Sequence, residues 1–132
     1  PMTLRCLQPD QLPPPGGHYS HAVVAGNQVW VAGQLPIDAQ GRKLGDQPFE
    51  VQARQVLANI EAALRGAGTT PQRLVQVRVY LTDIGHWPAF NALYADWLGA
   101  HRPARAVVPV PALHFGFLIE AEAVALVGEP AP

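Results

Sequence analysis

Apolar residues change their spacing several times along the chain, and each change marks an element. Thr3 to Leu7 reads as a short strand. His21 to Ala25 and Gln28 to Leu35 are apolar runs on either side of Gly26-Asn27, a turn dipeptide, and so predict a hairpin. Between Phe49 and Leu64 the apolar positions fall at Ala53, Val56, Leu57, Ile60, Ala63 and Leu64, one stripe of a helix. Asp46 and Pro48 before it, and Gly66 and Gly68 after it, act as start and stop signals. Leu74 to Thr82 then alternates, with Val75, Val77, Val79 and Leu81 facing one way and Gln76, Arg78 and Tyr80 the other. Helical spacing returns from Trp87 to Leu98, with Trp87, Phe90, Tyr94, Trp97 and Leu98 on one face and Gly99 at the end. Arg105 to Val110 and Phe117 to Val127 read as two last strands.

The order β-β-β-α-β-α-β-β predicts one α+β domain over residues 1–132: a single sheet of about six strands with two helices on one face. No internal repeat or linker divides it. Pro13-Pro14-Pro15-Gly16-Gly17 reads as a stiff loop and Glu129 to Pro132 as a frayed tail. Two helices cannot cover both faces of the sheet. Val107, Val108, Pro109 and the long last strand do not resemble a wetted face, so the second face is expected to meet another chain.

Composition supports that expectation. Only 14% of the residues are charged, against about 25% in an average domain, and interface cores are depleted in charge. The net charge of −1 argues against a nucleic-acid partner, which needs a basic stripe. No apolar run reaches membrane-spanning length, which predicts no membrane partner and a cytoplasmic location. Cys6 is the only cysteine, excludes an internal disulfide, and reads as a small core residue.

The inventory also removes chemistries. Ser20 is the only serine, and Lys43, the only lysine, sits in the polar turn 39–43, a poor place to desolvate a Schiff-base amine. No G-x-S-x-G, P-loop or G-x-G-x-x-G is present. What remains is Arg, Glu, Asp, His, Tyr and water. Arg105 opens an apolar stretch, where an always-charged guanidinium needs an anionic partner. Glu120 and Glu122 lie two apart in a similarly apolar strand and share a face. If the last two strands pair, Arg105 and one of these carboxylates approach each other. That makes either a carboxylate-binding site with a held water or a structural salt bridge, and spacing alone slightly favours the salt bridge.

The histidines carry weaker signals. His18 and His21 are three apart, on opposite faces of a strand, and no third metal ligand is evident, so no metal is expected. His86 and His101 read as surface groups flanking the second helix. His114 sits at a turn between the last strands, where it could reach a pocket at their ends. Asn91 lies off the apolar stripe of its helix.

Taken in order, several tracts resemble the RidA (YjgF/YER057c/UK114) family of reactive intermediate or imine deaminases. They are Tyr19-Ser20-His21-Ala22, the run Ala32 to Asp38, Gln52 to Ile60, Val79 to Asp83, and Phe90 to Tyr94. The most specific are Arg102 to Val108 and Ile119 to Ala123. The resemblance implies a chorismate-mutase-like α+β fold, a homotrimer with clefts between subunits, and cofactor-free hydrolysis of 2-imino and enamine acids to 2-oxo acids and ammonia. It implies that Arg105 clamps the substrate carboxylate and Glu120 holds or activates the water. Tyr19, Ala32, Gly33, Asn91, Val107 and His114 would line the cleft. A carboxylate close to a guanidinium is expected to stay ionised.

The chain also departs from the family pattern. Val107 stands where many members have Cys or Thr, Ala32 where many have Ser, and His114 where Pro is usual; Phe115-Gly116-Phe117 is atypical. These changes make the pocket more apolar and point to a bulkier or aromatic imino acid, or to a specialised deaminase of a catabolic enamine. His114 could supply a further proton-transfer group. Competing readings are a non-catalytic trimer that binds small carboxylates as a sensor or chaperone, and ribonuclease or translation inhibition, which the charge balance disfavours.

Overall fold

The computed structural model describes residues 3–128; the segment from Glu129 to Pro132, expected to form a frayed tail, lies outside them. They form one mixed sheet of six strands: β1 (Leu4–Leu7), β2 (Ala22–Ala25), β3 (Gln28–Gln34), β4 (Leu74–Leu81), β5 (Ala104–Pro109) and β6 (Ile119–Leu126), in the order β1-β2-β3-β6-β4-β5. Two helices, α1 (Phe49–Gly66) and α2 (Trp87–Leu98), pack on one face. No helix among the described residues is long and apolar enough to cross a membrane.

Each element forms for local reasons. Gly26 adopts φ 61° in the two-residue turn between β2 and β3, and a positive φ at the first central position is what a twisted hairpin demands. The predicted stripe of α1 is buried throughout, from Ala53 to Leu64. It lies on Val29 and Val31 of β3, Val77, Val79 and Leu81 of β4, and the alternate residues Ile119, Ala121, Ala123 and Ala125 of β6. The alanines of β6 let α1 approach the sheet closely. Phe90, Tyr94 and Leu98 of α2 complete the core, while Trp97 is half-buried and Trp87 is exposed.

Two polar side chains inside α1 tie the layers together. Gln52 is fully buried; its Nε2 donates to the carbonyl of Gln47 at 3.0 Å, and its Oε1 accepts from the N–H of Leu118 at 3.0 Å. Asn59 Nδ2 donates to the carbonyls of Leu35 and Ile37, both at 2.9 Å. The loop after β3 is thus fixed to the helix at several points.

Four expectations need correction. The last two strands do not pair, because β4 lies between them, antiparallel to β6 and parallel to β5. The physical reason is the crossover helix: β4, α2 and β5 form a unit that returns the chain parallel to β4. Val75 does not share the core face with Val77. The register between β4 and β6 slips between Leu74 and Gln76, so Leu74 takes the inward place and Val75 is exposed. Cys6 is exposed on the edge strand β1 rather than in the core. His101 is half-buried, its Nε2 at 2.9 Å from the carbonyl of Leu74, and His86 stacks on Phe49 at 4.2 Å, so neither is a free surface group.

Candidate active site

The sheet has a helix-covered face and an open face, and the candidate residues divide between them. Arg105 stands beside Val77 and Val107 beside Val79 in the parallel register. Since Val77 and Val79 point into the core, Arg105 and Val107 lie on the helix side, at the edge of the sheet. There Arg105 Nη1 donates to Asn91 Oδ1 at 2.9 Å, and its guanidinium carbon lies 4.8 Å from the Tyr94 ring centroid. The partner of the half-buried guanidinium is therefore an amide and a ring face, not a carboxylate. Burial pushes the Tyr94 hydroxyl up to about 12, an effect the Arg105 charge partly offsets. Asn91, Tyr94, Arg102 and Arg105 line a cavity of about 420 Å³.

Glu120 emerges on the opposite face. The register between β3 and β6 shifts between Val31 and Gln34, a bulge that gives β3 one extra residue at Ala32-Gly33. Val31 and Gln34 both turn inward, and Gly33 meets Glu120. A Cβ at Gly33 would lie 2.0 Å from Glu120 Oε2. The carboxylate thus occupies space that only glycine leaves open. Burial raises the Glu120 carboxyl above the ordinary carboxylate range, partly offset by the charge of His114 and reinforced by Glu122. This corrects the expectation of a carboxylate kept ionised by a neighbouring guanidinium: within one chain Arg105 lies across the sheet.

Glu122 shares the open face, as the alternation predicted, but is otherwise engaged. It accepts a hydrogen bond from the Tyr80 hydroxyl and lies 3.9 Å from Arg78 Nη1. Of the two carboxylates, Glu120 is the one beside Gly33. A second cavity, of about 320 Å³, is lined by Tyr19, Gly33, Lys43 and Phe115. Ala32 is half-buried at the bulge and His114 is exposed in the short turn before β6. His21 is held on both ring nitrogens, with Nε2 at 2.7 Å from the Pro13 carbonyl and Nδ1 at 3.1 Å from Gln34 Nε2, so it serves structure.

Sequence reasoning expected Arg105 and a carboxylate to approach each other, whereas the fold places Arg105 and Glu120 on opposite faces of the sheet. It missed Lys43 and Phe115 as cavity residues. The signals were present: a lone lysine after a glycine turn, and an aromatic residue placed immediately before a glycine.

The family profile described as endoribonuclease L-PSP matches residues 10–127. A RutC family protein of Pyrococcus horikoshii is 40% identical over 116 residues, covering 88% of this chain and 92% of its own length. Protein HMF1 of Saccharomyces cerevisiae is 35% identical, over 88% of this chain and 89% of its own. Among solved structures, RidA from the Antarctic bacterium Psychrobacter superposes with a TM-score of 0.88 at 35% identity, covering 93% of this chain and 99% of its own. The YjgF gene product of E. coli does so with 0.86 at 29%, covering 92% and 98%. With its sheet order, its paired helices and these relatives in agreement, the chain belongs to the RidA (YjgF) family, the family of the endoribonuclease L-PSP profile.

Proposed function

We propose that this chain is a cofactor-independent hydrolase of 2-imino and enamine acids, working as a homotrimer with its active sites in the clefts between protomers. The observation that carries the proposal is the division of the site. A guanidinium without a carboxylate partner among the described residues (Arg105, held by Asn91) and a partly desolvated carboxyl (Glu120 against Gly33) project from opposite faces of one sheet. Neither half suffices alone, and two copies of the chain can bring them together.

The chemistry asks for little more. A protonated 2-imino acid is already electrophilic at C2. Arg105 would hold its carboxylate through the planar fork that suits bidentate pairing. Glu120 takes a proton from water as the water adds to C2, giving a tetrahedral carbinolamine. That proton then passes to the amino group; as the C–N bond breaks, the carbinolamine hydroxyl gives its proton to the Glu120 carboxylate and on to solvent, and the 2-oxo acid and ammonia leave. An enamine acid first takes a proton at C3 to become the imine. A carboxyl whose affinity for protons is raised suits this alternation, and such a group contributes about 10²–10⁴-fold. Orientation of the bound imine contributes the rest.

Complementation tests the proposal. Arg105→Ala and Glu120→Gln are each expected to abolish ammonia release from 2-iminopropanoate. Random co-assembly of the two variants pairs an intact Arg105 with an intact Glu120 in about a quarter of the clefts, so co-expression restores that fraction of activity. Restoration of none, with both variants folded and mixed, overturns the shared site. Absence of hydrolysis by the unaltered protein overturns the activity.

A further inference from the structure

We propose that Phe115 is the specificity wall of the Glu120 half-site, and that this chain prefers 2-imino acids whose side chain is planar and π-bonded, an aryl ring above all. The inference rests on the hydrolytic reading above and names its substrate class.

Phe115 has φ 57° and ψ 20°, and it is the only residue other than glycine with positive φ among the described residues. The left-handed region suits glycine; a bulky side chain there is strained and calls for a reason. Core packing within the chain is not that reason, because Phe115 is 62% exposed in the single chain. Its neighbours nevertheless fix the ring. Lys43 Nζ lies 4.5 Å from the centroid, and the fully buried Phe117 meets it edge-on at 5.6 Å. A strained backbone thus presents an oriented aromatic ring to solvent.

The position of that ring gives it a use. Phe115 lines the same cavity as Tyr19 and Gly33, and Gly33 is where the Glu120 carboxyl rests. Gly33 is the residue that the Glu120 carboxyl and this cavity share, so a substrate placed with C2 at Glu120 would run its side chain past Gly33 and along this wall. A planar side chain stacks offset on the ring and gains beyond simple burial, which an alkyl chain of similar size does not.

The experiment compares kcat/KM for the imines of phenylalanine and alanine, formed in situ by an amino-acid oxidase. The unaltered protein is expected to favour the aryl imine. Phe115→Leu, which keeps bulk but removes the π face, lowers the aryl-to-methyl ratio about tenfold, and Phe115→Trp retains it. Phe115→Gly relieves the backbone and loses the preference, which separates recognition from folding. An unchanged ratio in Phe115→Leu, or a preference of the unaltered protein for the alanine imine, overturns the wall while leaving the hydrolytic reading standing. Hydrolysis of neither imine overturns both.

Discussion

Glu120 rests in a hollow that exists because position 33 carries no side chain, and the chemistry of this one residue can be tested from both sides. Gly33→Ala places a methyl group where Oε2 lies. The carboxylate is flexible and swings away, so the expected result is a loss of about 10²-fold or more in kcat with little change in thermal midpoint. Glu120→Gln addresses its ionisation. Because burial raises the folded-state pKa of this carboxyl above its unfolded value, the native state holds the proton more tightly than the unfolded chain. Stability therefore falls as pH rises from the unfolded value through the folded one, and the full penalty stands above it. The glutamine variant should melt higher than the unaltered protein at pH 8, with the advantage shrinking towards pH 4. A midpoint difference that grows on acidification would contradict this. Arg105→Lys keeps the charge but not the fork, and should cost about 10²-fold in kcat/KM.

The charged residues were legible because a guanidinium and two carboxylates inside apolar runs break the pattern. Which carboxylate meets Gly33 was not legible, since a one-residue bulge leaves no trace in a period of two. The left-handed backbone at Phe115 was equally hidden, as only the following glycine hints at a turn.

At the scale of elements, period was a reliable guide to the helices and a poor one to strand neighbours. The α1 stripe follows from 3.6-residue spacing alone. The place of β5 follows instead from α2 carrying the chain back parallel to β4, a long-range fact that adjacency in sequence misrepresents. Between these cases stand the polar residues of α1. Gln52 interrupts an apolar face, and two of its hydrogen bonds join the helix to the loop before it and to Leu118, just ahead of β6. Gln52→Ala strands the Leu118 N–H and the Gln47 carbonyl and leaves a void. Denaturant titration should register a loss of about 3 kcal/mol.

For the molecule as a whole, the sparse charge and the uncovered sheet face both pointed to association. The open face carries Trp30, Val75 and Val108, all exposed in the single chain, beside the Tyr80–Glu122–Arg78 cluster. Trp30→Glu puts an acid on that face without touching Arg105 or Glu120. Sedimentation is expected to show dissociated protomers, and hydrolysis should vanish with the assembly. Monomers that retain full turnover would refute the shared cleft.

The emergence of Arg105 and Glu120 on opposite sides of one sheet carries a genetic consequence. In a cell expressing two alleles, a subunit of the proposed trimer that lacks only one of the two groups would disable a single seam. A subunit lacking both would spoil both seams it helps to form, two of the three in the proposed ring. Under the proposed shared cleft, dominance would track how many halves an allele removes, and dilution would silence the proposed activity before the chain unfolds.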